Sequence, residues 1–122
     1  MFKKSYTKEQ RIVESSRVRQ RYHDRLPCIV ESYTKDKNIS KPFKNKYLVP
    51  KDITLGQFTY TILKRLNDIS TDSAEKKSIK AVFLFVDGTI QPTSKLMEEV
   101  YEEHKDEDGF LYFIYSYENT FG

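Results

Sequence analysis

The chain predicts an α+β fold in which one mixed β-sheet is covered by a long helix. Three features carry that expectation. Four runs have strand character, Cys28 to Tyr33, Lys46 to Val49, Ala81 to Val86 and Phe110 to Tyr117, each rich in β-branched or aromatic residues. Two stretches have the spacing of a helix start, Thr7-Lys8-Glu9-Gln10 and Thr54-Leu55-Gly56-Gln57. In each, a hydroxyl can accept from an orphan N–H while an amide three residues on reaches back. The last run is almost wholly apolar and aromatic, so its strand must lie inside the sheet.

The elements follow in order. Thr7 opens a helix to about Tyr22, whose thin stripe of Ile12, Val13, Val18 and Tyr22 suits a helix lying against a body. A strand at Cys28 to Tyr33, a lysine-rich loop to about Phe43 and a strand at Lys46 to Val49 come next, and Pro50 ends the ladder. Leu55, Phe58, Ile62, Leu66 and Ile69 then fall on one face of a core helix. Residues Asn67 to Lys80 are polar and predict a long, mobile loop. After the strand Ala81 to Val86, Asp87-Gly88 is a tight-turn pair and Thr89-Ile90 begins a short return strand. Leu96, Met97, Val100 and Tyr101 share a face of a third helix, and Gly109 stops the acidic stretch before the final strand. Four strands around one long helix make a β-grasp (ubiquitin) fold with an added helix in front. The expected divisions are 1–24 as a helical extension, 25–117 as the β-grasp body with a loop at 67–80, and 118–122 as a tail.

At 122 residues the chain is one domain, able to bury roughly two thirds of its unfolded surface. Charged residues at 32% and aromatics at 14% exclude a disordered tail. The single cysteine, Cys28, cannot close an internal disulfide; it reads as an inert core thiol in a reducing, cytoplasmic setting. No apolar run reaches the roughly 18 residues of a membrane span. Basic residues crowd the first quarter, while Glu98, Glu99, Glu102, Glu103 and Asp106 to Asp108 are acidic. A basic half meeting an acidic partner and an ordinary solvated surface are both open readings.

Nothing suggests an enzyme. His23 and His104 have no nucleophile motif or metal-ligand spacing nearby, and no catalytic or metal residue is assigned. Asp106-Glu107-Asp108-Gly109 lacks the spacing of a calcium loop and reads as a solvated turn. The basic helix lacks the interleaved aromatics of a nucleic-acid platform, so no nucleic-acid partner is expected. The closing residues are more informative, because an aromatic strand passes into a polar tail ending on Gly122. A residue without a Cβ can lie in a channel too narrow for others, leaving its carboxylate reachable as an acyl group.

The blocks Tyr22 to Glu31, Lys46 to Phe58 (with Tyr47-Leu48-Val49-Pro50), Tyr101 to Tyr112 and the closing Glu118-Asn119-Thr120-Phe121-Gly122 resemble the autophagy ubiquitin-like modifiers. That family includes the GABA-receptor-associated protein and the microtubule-associated protein light chain. The resemblance covers nearly the whole chain in order. It implies that Gly122 is joined to phosphatidylethanolamine through activating and conjugating enzymes that grip Thr120 and Phe121, with a deconjugating cysteine protease acting in reverse. No cofactor is implied beyond that covalent lipid. The protein would be a monomer before conjugation, cytoplasmic until lipidated, and then held on autophagosomal, vacuolar or lysosomal membranes.

The resemblance also implies docking of cargo receptors through an aromatic residue and an aliphatic one three positions later. The aromatic pocket maps to Glu14, Val18, Pro27, Ile29, Lys46, Leu48 and Phe110. The aliphatic pocket maps to Tyr47, Val49, Pro50, Ile53, Leu55, Phe58 and Ile62. Arg25, Lys44 and Lys46 would attract acidic flanks. Departures from the family pattern are Lys8 in place of an aromatic that pins the first helix, leaving that task to Tyr6 or Ile12, and His23 in place of a proline. Thr61 makes the second pocket slightly more polar, Leu63 removes a charge, and the segment 67–80 is longer than usual. An unconjugated adaptor that binds short motifs in membrane trafficking or cytoskeletal attachment is the competing expectation.

Overall fold

A computed structural model describes residues 1–32, 45–69 and 79–119. Helices α1 (Phe2–Ser5) and α2 (Lys8–Arg21) precede strands β1 (Arg25–Ser32) and β2 (Lys46–Pro50). Helix α3 (Leu55–Ile69), strand β3 (Ile79–Phe85), helix α4 (Met97–His104) and strand β4 (Leu111–Asn119) complete the order. The strands form one sheet in the order β2-β1-β4-β3. β1 runs parallel to β4 and antiparallel to β2, and β3 is antiparallel to β4. The sheet is therefore mixed and its last strand is internal, as the apolar run at Phe110 to Tyr117 requires. This is the β-grasp fold with a helical N-terminal part.

Alternation along the strands gives the sheet two unlike faces. One face carries Leu26, Cys28, Val30, Val49, Leu111, Phe113 and Tyr115, packed under Leu55, Phe58, Ile62 and Leu66 of α3 and Met97, Val100 and Tyr101 of α4. The other face carries Ile29 and Phe110, packed with Phe2 and the half-buried Tyr112. Both capping boxes form. Thr7 Oγ1 accepts from Gln10 N at 3.1 Å while Thr7 N donates to Gln10 Oε1 at 2.8 Å. Thr54 and Gln57 repeat the exchange at 3.1 and 2.8 Å. At the turn after β3, Asp87 and Gly88 both have positive φ, 50° and 75°, and Val86 bridges Thr89.

Several expected boundaries are corrected. Helix α1 has no counterpart in the sequence reading, because four residues carry no periodicity. Strand β1 starts earlier, at Arg25, and Tyr33 lies outside the described residues. Residues 67–69 are helical and 79–80 are strand, so the polar loop is shorter at both ends; 70–78 lie outside the described residues. Asn67 explains the difference. Its Oδ1 accepts from Ile79 N at 2.7 Å and its Nδ2 donates to Ile79 O at 3.2 Å, so a polar residue fastens the helix to the strand. Thr89-Ile90 makes a single bridge and no strand, with Ile90 exposed. Leu96 precedes α4 and is exposed, outside the buried face of Met97, Val100 and Tyr101.

Candidate functional site

The helical extension is held by charge as much as by apolar contact. Of its expected stripe only Val18 is buried; Ile12, Val13 and Tyr22 are exposed. Neither Tyr6, half exposed, nor Ile12 pins the first helix. Phe2 does so instead, with its ring 5.0 Å edge-on from Phe110 and its N–H donating to Glu31 Oε2 at 2.7 Å. The acidic turn expected to be solvated is in fact the anchor of α2. Asp108 is 1% exposed and accepts from Arg11 Nη1 at 2.5 Å, Tyr112 Oη at 2.5 Å and Phe110 N at 2.9 Å. Its backbone carbonyl accepts from Ser15 Oγ at 2.5 Å.

Gly109 follows at φ +90°, and a Cβ there would stand 2.4 Å from Ser15 Oγ, so glycine alone lets α2 come this close. Lys3–Asp106 at 2.7 Å and Lys8–Glu107 at 2.9 Å extend the pairing outward. The acidic run thus meets the chain's own basic N-terminal helices. Hydrogen bonding to Asp108 raises the Arg11 guanidinium further. Burial, then the bond to Asp108, pushes the Tyr112 hydroxyl far above the usual phenol range. Burial opposes the charge of Asp106, yet Lys3 and the Asp108 N–H hold its carboxyl below the usual range.

With α2 fixed, the edge of β2 becomes a groove wall. Val30 N donates to Asn45 O at 2.8 Å and Lys51 N to Asp24 O at 3.0 Å, so odd-numbered residues of β2 bond inward to β1. The backbone groups of Lys46 and Leu48 therefore point outward, and Pro50 offers no N–H. Side chains alternate as well. Lys46 and Leu48 stand opposite Ile29 and Pro27 on the α2 side, whereas Tyr47 and Val49 pack toward α3.

On the α2 side, Glu14, Arg17, Val18, Arg21, Tyr22, Lys46, Tyr47 and Leu48 line a cavity of about 530 Å³. Val18 lines it and is buried; Pro27, Ile29 and Phe110 are buried as well but are not among its lining residues, and Leu48 stands exposed at 37%. Lys46 Nζ meets Glu14 Oε2 at 2.5 Å, and this bond holds the Glu14 carboxyl below its usual value. Arg17 joins from the next turn at 3.5 Å. Arg17, Arg21 and Tyr22 were missed from sequence, although three- and four-residue steps from Glu14 and Val18 place them on the same helix face.

On the α3 side, Val49, Leu55, Phe58 and Ile62 are at most 2% exposed and belong to the core. Tyr47 and Ile53 are half-buried against them, and Pro50 ends the strand. Tyr47 meets Phe58 edge-on at 5.7 Å, and burial pushes its hydroxyl up to about 12. Thr61 Oγ1 donates to Gln57 O at 3.1 Å, and Leu63 packs against the core. Arg25 Nη1 donates to the outward carbonyl of Leu48 at 3.4 Å. Lys44, Thr120, Phe121 and Gly122 lie outside the described residues. Cys28 is fully buried, and burial raises its thiol far beyond reactivity. His104 Nδ1 lies 2.6 Å from Asp87 Oδ2, tying α4 to the turn. Among the described residues no helix is long and apolar enough to cross a membrane, and no group of three His, Cys, Asp or Glu could hold a metal.

A mixed sheet with an internal last strand, a crossing α3 and two helices laid on its second face define a ubiquitin-like protein with an N-terminal helical extension. Comparison with known proteins narrows the class. The family described as autophagy protein Atg8, ubiquitin like, matches residues 10–122. Autophagy-related protein 8 of Cochliobolus heterostrophus is 50% identical over 121 residues, covering 99% of this chain and 94% of that protein. Its counterpart in Neurospora crassa is also 50% identical, over 99% and 93%. Trypanosoma brucei ATG8 superposes with a TM-score of 0.78 at 40% identity, covering 99% and 97% of the two chains. Plasmodium falciparum Atg8, solved with a Plasmodium falciparum Atg3 peptide, superposes at 0.81 with 32% identity over 95% and 94%. The chain belongs to the Atg8 family. On that identity it is a ubiquitin-like autophagy protein and not an enzyme.

Proposed function

We propose that this protein is a lipid-conjugated modifier whose β2 edge docks peptides carrying an aromatic and an aliphatic residue three positions apart. The arrangement of the edge is the observation that carries the docking reading. Residues three apart on an extended chain point to opposite faces, about 10 Å from each other along the strand. The cavity on the α2 side of β2 and the half-buried Tyr47 and Ile53 on its α3 side lie on opposite faces of the sheet. An added strand would pair with the outward groups of Lys46 and Leu48. Its aromatic would enter beside Glu14, Val18, Lys46 and Leu48 over a floor of Pro27, Ile29 and Phe110. Its aliphatic residue would rest on Tyr47, Pro50 and Ile53 above Val49, Leu55, Phe58 and Ile62. Arg25 and Lys44 would draw acidic flanks and chiefly raise the association rate.

Family membership supports the other half of the reading. Gly122 would be adenylated, passed as a thioester between enzyme cysteines and joined by an amide to the amine of phosphatidylethanolamine, with Thr120 and Phe121 gripped on the way. The Atg3 peptide on the Plasmodium falciparum relative supports a conjugating enzyme as partner. A deconjugating cysteine protease would release the lipid. Two acyl chains give the stable anchor that one cannot, at about 0.8 kcal/mol per buried CH₂. The protein would thus bring cargo receptors to autophagosomal membranes.

Calorimetry with two synthetic peptides tests the docking half. A Trp-x-x-Leu peptide should bind at least tenfold more tightly than a Trp-x-Leu peptide, which points both anchors to one face. Leu48→Ala should remove most of that advantage. Equal affinity for the two spacings would refute the two-face site.

A further inference from the structure

Helix α2 has a second face, turned away from the peptide groove. Ser15, Ser16, Arg19 and Gln20, at three- and four-residue steps, form one wall of a cavity of about 610 Å³, and Tyr101 and Lys105 of α4 stand in the other. Its floor is closed by bonds already made, because Tyr101 Oη donates to Gly109 O at 2.6 Å and Ser15 Oγ to Asp108 O. Arg19 Cζ and Lys105 Nζ both lie over the Tyr101 ring, 5.3 and 5.5 Å from its centroid. Two cations are gathered on one ring.

The carboxylates that line the cavity are each paired, Glu102 with Lys105 at 3.0 Å, Asp106 with Lys3 and Glu107 with Lys8. Arg19 has no carboxylate partner among the described residues; its Nη1 donates to the carbonyl of Arg25 at 3.2 Å. Ser16 is unusual in the opposite sense. A helical serine or threonine can turn its hydroxyl back onto its own helix. Ser5, Thr59 and Thr61 each donate to the carbonyl four residues back, and Ser15 donates to Asp108 O. Ser16 is exposed and makes no hydrogen bond among the described residues. It stands in Ser16-Arg17-Val18-Arg19, one helical turn before the unpaired guanidinium.

We propose that Ser16 is a phosphorylation site and that this cavity is the receptor for its phosphate. Ser16 Oγ attacks the γ-phosphorus of a nucleoside triphosphate bound to a protein kinase. The bond from that phosphorus to the β–γ bridging oxygen breaks, the nucleoside diphosphate leaves, and the hydroxyl proton passes to a base of the kinase. The product carries close to two negative charges and three acceptor oxygens. Arg19 and Gln20, three and four residues on, donate to it from the same helix face. Lys105 turns from the single charge of Glu102 to the double charge of the phosphate and so bridges α4 to α2. Glu14, Val18 and Arg21 line the groove on the other side of α2, so the modification leaves peptide docking open. The site is independent of the docking and conjugation readings.

Mass spectrometry of the protein isolated from its own cells, with phosphatases inhibited, should find phosphate on Ser16. A chain that is unmodified there would overturn the site. The full chain carrying phosphoserine at position 16, made by codon suppression, tests the receptor through a ³¹P NMR titration. Its second phosphate ionisation should lie about one unit below the roughly 6 of free phosphoserine. Arg19→Gln and Lys105→Gln should each return about half of that shift, since each removes one of the two cations. An ionisation equal to that of the free residue, or one that neither substitution moves, would mean that the phosphate points to solvent and would overturn the receptor.

Discussion

Asp108→Ala is expected to cost about 3–5 kcal/mol of folding stability, the range for removing one partner of a buried ion pair. The carboxylate is fully enclosed and accepts from three donors, Arg11 Nη1, Tyr112 Oη and Phe110 N. Its removal leaves a largely buried guanidinium and a half-buried phenol without their acceptor. The damage should centre on α1 and α2, because Arg11 and Ser15 reach the body through this turn while Phe2 covers Phe110 beside it. Urea unfolding read by circular dichroism measures the loss. A change below about 1 kcal/mol would show that the turn is not the anchor. Asp108→Asn should fall between the two, since an amide oxygen still accepts but carries no charge.

Deleting Gly122 is expected to abolish conjugation outright. Acyl transfer needs a terminal carboxylate that can pass through a narrow enzyme channel, and the deletion puts the benzyl side chain of Phe121 where a residue without a Cβ had been. Purified activating and conjugating enzymes of the family, ATP and phosphatidylethanolamine vesicles should convert the wild-type protein to a species heavier by one lipid. The deleted form should stay unconverted and off the vesicles. Conversion of the deleted form would place the linkage elsewhere. A wild-type protein that forms no thioester would point to an adaptor that works without conjugation.

Much of the scaffold was legible because local chemistry and tertiary role agree. Thr7 and Thr54 each carry the reciprocal partner three residues on, and both boxes form. The apolar run from Phe110 had to be internal, and β4 lies between β1 and β3. Where roles conflict with composition, the reading failed. An acidic run looks like solvent-facing turn, so the burial of Asp108 is invisible until the basic residues some hundred positions earlier in the chain are brought beside it. Asn67 looks like loop, yet its side chain satisfies both backbone groups of Ile79. Phe2 is one apolar residue in a four-residue helix, too short for any period to show.

The same split runs through the groove. Glu14, Val18, Lys46 and Leu48 were assigned to the groove by the family resemblance, not by periodicity. Arg17, Arg21 and Tyr22 follow from those positions only once the helix is known to lie along β2. Phe110 differs from these. It is completely buried beneath Phe2, so Phe110→Ala would cost about 3–5 kcal/mol and cannot report on peptide binding alone. Leu48 is the clean probe.

Amide hydrogen exchange by NMR, with and without a saturating Trp-x-x-Leu peptide, tests the β2 docking edge most directly. The outward N–H groups of Lys46 and Leu48 should be slowed at least tenfold by the peptide, while those of Tyr47 and Val49, already bonded to β1, should change little. Protection that appears along β3 instead, or no change at Lys46 and Leu48 while the peptide is bound, would contradict the account.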